Sequence, residues 1–181
     1  MIRQKETYEK QYGEHMPISR LDPIDRLILS ELQADGKMTN VELARRVGIS
    51  APPCLRRVRT LEEQGYIKGY HAKVDSRQLG FEVSVFVMVG LQRQAEADLT
   101  DFENRCVSWP LVRECHMLNG EVDFMLKCVA PDLSSFQSFL TGDLLTAPNV
   151  GSVKTSLVIR AAKDEPGVPF EILEEQIAKR N

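Results

Sequence analysis

Apolar positions between residues 21 and 65 recur at intervals of three and four, which is the spacing of one face of an α-helix. Three short helices are predicted here, each beginning at a capping Asp, Thr or Ser and ending at a glycine, over 22–36, 39–48 and 50–65. The second and third helices are joined by a very tight turn and lie behind the first. This order indicates a helix-turn-helix.

The same periodicity predicts which side chains face inward. The expected core positions are Ile24, Leu27, Ile28, Leu32, Leu43, Ala44, Val47, Leu55, Val58 and Leu61. With that stripe buried, the third helix turns a mixed surface outward, made of Ala51, Pro52, Arg56 and Arg59, with Arg57 at its flank. Ser50 is predicted to cap this helix, and Pro53 occupies a first-turn position whose N–H would be unpaired anyway. An extended segment with a glycine turn follows, suited to a wing or a connecting strand.

From residue 81 the pattern changes to apolar strands that alternate with two amphipathic helices, in the order β-α-β-β-α-β. The helices are expected to bury Leu99, Phe102, Cys106, Leu133, Phe136, Phe139 and Leu140. Asn119-Gly120 is predicted to form a tight turn between the middle strands. This order predicts a ferredoxin-like sheet with both helices on one face, so the fold class is α+β.

The first of these strands is apolar on both sides, with Val85 and Val87 on one face and Phe86 and Met88 on the other. The sheet face without helices is therefore expected to be covered, most simply by the same face of a second copy. We predict a homodimer through this domain.

Composition is that of a soluble folded protein, with 43% hydrophobic and 27% charged residues. No apolar run suffices for a membrane span or a secretory signal, so a cytoplasmic location and no membrane partner are expected. The net charge of −3 is unevenly distributed, because residues 37–73 carry eight Lys/Arg against three Glu and residues 74–181 carry ten against sixteen Asp/Glu. A basic segment on an acidic body predicts a module that binds a polyanion, and outward-facing arginines on a helix favour duplex DNA.

The sequence shows no recognisable catalytic or metal-binding pattern. The four cysteines lack metal-ligand spacing and are expected to be reduced packing residues, and no nucleotide-binding or hydrolase motif occurs. His116 is expected to be a packed strand residue. No catalytic residue, metal or cofactor is predicted.

One stretch, "LNGEVDF", has two interpretations. Asn119-Gly120 is foremost a hairpin turn. Asp123 lies three residues later in an apolar strand, and a carboxylate beside an exposed glycine could bind the ammonium of a small amino acid, while main-chain N–H groups bind its carboxylate.

Residues 21–70, together with "ECHMLNGEVDFMLKCVAPD" and "LLTAPNVGSVKTSLVI", resemble the Lrp/AsnC family of feast/famine regulators, and the leucine-responsive branch is favoured. The resemblance implies a winged helix-turn-helix joined by a strand to a βαββαβ effector domain. It also implies dimers that assemble to tetramers or octamers, with an amino acid bound between dimers near the effector-domain hairpin. The implied effector residues are Leu118, Gly120, Asp123, Val150, Gly151 and Ser152. The implied DNA-contacting helix spans 50–64, and the DNA-binding residues expected overall are Thr39, Asn40, Ser50, Ala51, Pro52, Pro53, Arg56, Arg57 and Arg59.

The expected organisation is a disordered extension (1–20), a helix-turn-helix domain (21–69), a connecting strand or hinge (70–80), an effector domain (81–163) and a tail (164–181) with a short helix from about Phe170. Met16 is a candidate true start. Two alternatives stay open: an architectural DNA-wrapping protein with little sequence choice, and a haem-pathway decarboxylase of the same fold, for which His116 and Arg113 would be the candidates.

Overall fold

The computed structural model describes residues 21–165 and 167–179, and these form two compact units. One unit holds 21–72 together with 165 and 167–179, and the other is Lys73–Asp164. The predicted 1–20 extension and Met16 lie outside the described residues. Of the predicted 164–181 tail, Asp164 lies in the second unit, and residues 165 and 167–179 group with the N-terminal unit.

The N-terminal unit is built from three short helices and a later one. Their bounds are α1 Pro23–Ala34, α2 Asn40–Arg46 and α3 Ala51–Glu63, with a terminal helix at Phe170–Ala178. The start of α1 follows the predicted caps, since the Asp22 carboxylate accepts the N–H of Asp25 at 2.8 Å and Pro23 takes the first helical position. Positive φ angles at Gly48 and Gly65 allow the sharp exits from the second and third helices.

Six buried side chains form the core of this unit: Ile28, Leu43, Ala44, Val47, Cys54 and Leu61. Two predictions of inward residues are wrong. Leu27 is 42% exposed and Leu55 is 39% exposed, whereas Cys54 is fully buried. In α3, Leu61 is buried and Val58 packs against the core as predicted, and only the first-turn position differs, with Cys54 in place of Leu55.

The second unit is a four-stranded antiparallel sheet in the order β2-β3-β1-β4. In chain order its elements are β1 Val83–Leu91, α4 Glu96–Ser108, β2 Val112–Met117, β3 Phe124–Ala130, α5 Leu133–Phe139, which continues as a wider π turn over Leu140–Leu144, and β4 Val150–Leu157. The terminal helix at Phe170–Ala178 is therefore α6. Ferredoxin-like topology is as predicted, and the core lies between the sheet and its helices.

That core contains thirteen buried side chains, including an aromatic cluster. The ring of Phe102 lies 4.8 Å from Phe124 and 6.0 Å from Trp109, and Trp109 lies 5.4 Å from Phe139 between centroids. Offset and edge contacts of this kind favour close packing of aromatic rings. Leu133 does not join the core as predicted, because it is 52% exposed at the first position of α5.

Two local predictions fail in physically clear ways. The β2–β3 connection is not a two-residue turn, because Leu118 N–H bonds the carbonyl of Asp123 and leaves residues 119–122 as a four-residue loop. Gly120 has no positive φ. The connecting segment does not form the predicted strand, because residues 64–82 contain one 3-10 turn, Arg77–Leu79, and no strand, while the hinge stays a prediction.

The open sheet face is less apolar than predicted. Phe86 and Met88 are half-buried on β1, but the β2 edge of this face carries an ionic cluster. Lys127 Nζ donates to Glu114 at 2.9 Å, and His116 Nε2 lies 3.1 Å from the other oxygen of that carboxylate. Together these bonds outweigh the desolvation of Glu114 and lower the pKa of that carboxyl. His116 is thus an exposed, paired residue rather than a packed one.

Candidate functional site

The first turn of α3 has no side-chain cap. Ser50 has the extended backbone of an N-cap residue, and its carbonyl accepts from the N–H of Cys54, but its hydroxyl makes no capping bond. The reason is chemical: an N-cap hydroxyl accepts from the second or third helical N–H, and both positions are proline, Pro52 and Pro53. The Ser50 hydroxyl is exposed and remains available to bind a partner.

The three arginines of α3 have different surroundings. Arg57 Nη1 donates to Asp22 at 2.6 Å and to Asp25 at 2.7 Å, and only 32% of its side chain is exposed. These two hydrogen bonds raise the pKa of Arg57 above its usual value, and they outweigh burial, which lowers it. They also hold the guanidinium against the start of α1. Arg56 and Arg59 are exposed, and neither guanidinium has an ion-pair partner among the described residues. Arg57 therefore braces the fold, whereas Arg56 and Arg59 form the outward cationic surface.

The turn between α2 and α3 is secured by Asn40. Its amide nitrogen donates to the carbonyl of Ala51 at 2.8 Å, which ties the start of one helix to the first residue of the next. Its amide oxygen is buried and has no hydrogen-bond partner in the described part of the chain. Thr39 caps α2 by accepting the N–H of Glu42 at 3.3 Å. Asn40 and Thr39, which were both predicted to bind DNA, thus already have contacts within the unit.

Glu42 completes only half of the predicted capping box, because its carboxylate turns to two arginines instead of back to the cap. It accepts from Arg45 at 2.7 and 2.9 Å and from Arg46 at 2.8 Å, and Arg46 also bonds Glu31 at 2.9 Å. Hydrogen bonds from Arg45 and Arg46 lower the pKa of Glu42 to about 2. Part of the basic charge found in the sequence is therefore neutralised within the unit.

In the second unit, Asp123 braces a bulge in the central strand. The pairing of β1 with β4 shifts between Gly90 and Leu91, and the freed N–H of Leu91 donates to Asp123 Oδ2 at 2.6 Å. The Asp123 N–H bonds the carbonyl of Val89 at 3.0 Å. Its second oxygen, Oδ1, has no partner among the described residues.

On the other side of the same bulge, the entry to β4 is anchored by Asn149, the one described non-glycine residue with a positive φ, 67°. Its amide accepts from the Arg93 N–H at 2.9 Å and donates to the Arg93 carbonyl at 2.8 Å. A Cβ at Gly151 would lie 3.3 Å from both the Gly90 carbonyl oxygen and the Gln92 nitrogen, so this close backbone approach favours glycine. Gly120, by contrast, has open space around it.

The structure brings all six predicted effector residues to one end of the sheet, with Leu118, Gly120 and Asp123 on the β3 side of β1 and Val150, Gly151 and Ser152 on its β4 side. Sequence reasoning missed the residues between them: Leu91, Gln92, Arg93 and Asn149. A glycine inside an apolar strand, Gly90, was the available signal for the bulge.

The two candidate residues of the decarboxylase alternative, His116 and Arg113, both lie exposed on the edge strand β2. His116 is exposed beside Glu114, and Arg113 is exposed at the irregularity of the β2–β3 pairing between Val112 and Glu114. The described residues include no cluster of three or more His, Cys, Asp or Glu side chains arranged to hold a metal. None of the helices in the described ranges is both long and apolar enough to span a bilayer.

Comparison with known families matches both units. A model of the Lrp/AsnC ligand binding domain matches residues 84–168, and a model of winged helix-turn-helix DNA-binding domains matches residues 21–68.

Individual relatives and solved structures point to the same family as these two models. The chain is 57% identical over 144 residues to a leucine-responsive regulatory protein of Rhizobium meliloti, covering 80% of this chain and 92% of the relative. It is 42% identical over 144 residues to the Bkd operon transcriptional regulator of Pseudomonas aeruginosa, covering 80% and 94%. Among solved structures, a transcriptional regulator of Neisseria meningitidis in complex with L-methionine superposes with a TM-score of 0.80 at 34% identity, covering 84% of this chain and 99% of that one.

Proposed function

The chain belongs to the Lrp/AsnC family of transcriptional regulators, and on that premise we propose that it reads duplex DNA through α3 and senses a small aliphatic amino acid at the bulged end of its sheet. It is a DNA-binding regulator that responds to an amino acid. Leucine and methionine are the favoured effectors, because a 57% identical relative is named for its response to leucine and a structural neighbour was solved with L-methionine.

One observation supports the DNA-binding face: the internal contacts of the helix-turn-helix leave one surface of α3 unpaired. Arg57 and Asn40 are occupied by the fold, whereas Ser50, Arg56 and Arg59 point outward. Arginine bonds guanine edges bidentately or neutralises phosphates, and a serine hydroxyl bonds phosphate. Two prolines remove the N–H groups with which a helix start usually binds an anion, so we assign phosphate contact here to side chains. Ala51 and Pro52 supply apolar contact to the groove.

For the effector, Asp123 Oδ1 supports an ammonium contact, because the other oxygen already holds Leu91. The uncrowded backbone at Gly120 leaves room for a ligand to approach the main chain closely. Leu118, 39% exposed, offers apolar contact to an aliphatic side chain. Val150, Gly151 and Ser152 complete the site from the β4 side.

We also propose a homodimer through the open sheet face, assembling to tetramers or octamers, with the effector bound near the junction of dimers and acting in the cytoplasm. Half-buried Phe86 and Met88 favour a covered face. Each dimer then presents two copies of α3 to half-sites about one helical turn apart, or a multiple of that. The chain has no role as a decarboxylase in this proposal.

The test is selection of bound duplexes from a random pool, followed by fluorescence anisotropy with and without each of the twenty amino acids. We expect an enriched palindromic sequence, an aliphatic amino acid that changes its affinity, and a loss of affinity in Arg56→Ala. Arg160→Ala, an exposed arginine in the other unit, is the matched control and should bind normally. Equal affinity for every sequence would assign the protein to architectural wrapping, and normal binding by Arg56→Ala would overturn the docking of α3.

A further inference from the structure

Three of the four thiols gather on the helix-covered side of the second unit. Cys106 lies in the last turn of α4, and Cys115 and Cys128 lie on β2 and β3, whose register places them on the same face. Cys106 and Cys128 are buried in the core, whereas Cys115 is only partly buried. Because β2 is an edge strand, Cys115 is the thiol nearest to solvent.

Cys106 and Cys115 are also neighbours, since Cys106 belongs to the core cluster and Cys115 packs against it. The interaction of the two thiols raises the pKa of Cys106, as burial also does, and lowers that of Cys115. This interaction favours the thiolate form of Cys115. For Cys128, burial raises the pKa to about 11. A thiolate is the reactive form of cysteine toward oxidants, so Cys115 differs from its neighbours in both access and charge.

We propose that Cys115 and Cys106 form a dithiol that hydroperoxides oxidise to an intramolecular disulfide, with Cys115 as the attacked thiol and Cys106 as the resolving thiol. The chain path favours this pairing, because only residues 109–111 connect α4 to β2. Closing so short a loop costs little entropy. Both side chains already pack in the same core cluster, so no large rearrangement precedes the bond.

The chemistry balances with the peroxide as sole oxidant. The Cys115 thiolate attacks one oxygen of hydrogen peroxide, the O–O bond breaks, and a sulfenic acid forms. The departing hydroxide takes up the proton that the Cys115 thiol lost and leaves as water. The Cys106 sulfur then attacks the Cys115 sulfur and displaces the sulfenic oxygen, which leaves as a second water with the Cys106 proton. Two thiols are oxidised, and one hydrogen peroxide is reduced to two waters.

The pair lies close to the proposed effector loop. Cys115 precedes Leu118 by three residues, so a disulfide would fasten the strand that enters this loop to the end of α4. Trp109, the one tryptophan of the chain, lies between the two cysteines in the sequence and packs on Phe102 and Phe139. Its fluorescence therefore reports on the same region.

The test is peroxide treatment of the full-length reduced protein, followed by alkylation of the remaining thiols and peptide mapping by mass spectrometry. We expect a peptide linked through Cys106 and Cys115, reversal by dithiothreitol and a change in Trp109 emission. Cys54 and Cys128 should remain alkylatable. Free Cys106 and Cys115 after oxidation, or crosslinks between chains only, would overturn the proposal.

Variants separate the two roles. Cys106→Ser should stop at a sulfenic acid on Cys115 that dimedone traps, and Cys115→Ser should form neither product. Cys54→Ser, in the other unit, is the control and should form the disulfide at the normal rate. Circular dichroism checks the folding of each variant, and the mapping of the unaltered protein decides the proposal even where a variant fails to fold.

Discussion

The two units of this chain are stabilised by different means. The N-terminal unit has six buried core residues, and its helices are linked by Arg57 to Asp22 and Asp25 and by Asn40 to Ala51. The second unit, Lys73–Asp164, is the effector unit. It has thirteen buried core residues, which include an aromatic cluster, and its charged pairs lie on the periphery. A small domain buries a smaller fraction of its surface, so polar links matter more to its geometry.

This difference affects how each unit presents its function. In the N-terminal unit, residues of the same type divide into those bonded within the fold, such as Arg57, and those left exposed, such as Arg56, which we propose contacts DNA. In the effector unit, a dry core holds the sheet, and the candidate ligand residues lie in loops whose backbones are secured at the β1 bulge. The proposed DNA-binding site therefore consists of side chains without internal partners, whereas the proposed effector site consists of loops at one end of the sheet.

The strongest test of this contrast removes an aromatic ring from the larger core. Phe124→Ala should destabilise the effector unit by about 3–5 kcal/mol, because the loss of a fully buried ring leaves a cavity. Denaturant unfolding followed by Trp109 fluorescence measures this effect. Val107→Ala, at a position 88% exposed on α4, should change the free energy of unfolding by less than about 0.5 kcal/mol. A similar loss in both variants would contradict the core assignment.

The second test separates two arginines one residue apart. Arg57→Ala should lower the stability of the N-terminal unit by about 1–2 kcal/mol, because Asp22 and Asp25 lose their shared donor at a partly exposed site. Arg56→Ala should leave stability unchanged and lower DNA affinity, by about 1–3 kcal/mol if it reads a base. Circular dichroism melts and anisotropy titrations on both variants measure the two effects, and the reverse pattern would reverse the roles.

A third test divides the two oxygens of Asp123. Asp123→Asn retains an acceptor for the Leu91 N–H, so stability should change by less than about 1 kcal/mol, while the loss of charge should abolish the effector response. Asp123→Ala should lose both the response and the bulge contact. DNA binding without effector should persist in both variants. Calorimetry with the amino acid measures the outcome, and an unchanged response in Asp123→Ala would remove this residue from the site.

The smallest expected effect concerns charge alone. Glu42→Gln should release Arg45 and Arg46 from their shared carboxylate and tighten DNA binding, with a steeper salt dependence of about 0.9 in the log-log slope for each phosphate gained. Because the pKa of Glu42 is about 2, lowering the pH to 5 should not reproduce this gain. An unchanged slope in the variant would show that these arginines stay away from DNA.

Local sequence signals predicted the helices and strands well, but they predicted the hydrogen-bond partners of individual side chains poorly. Asp22, Pro23 and Gly48 act where their cap and turn preferences place them. Ser50 was predicted to cap by the same reasoning, yet Pro52 and Pro53 remove the donors that its hydroxyl needs. That failure was readable from the sequence, since N-cap bonding requires an N–H at those positions.

The sequence by itself determined the order of helices and strands, the α+β class and the family, because periodicity, caps and motif residues act over a few positions. Only the tertiary structure decided that Arg57 meets Asp22, 35 residues away, that Asp123 holds Leu91, 32 residues away, and that residues 167–179 return to the N-terminal unit. Such contacts depend on which distant side chains the packed elements bring within bonding range, and local propensity carries no information about that distance.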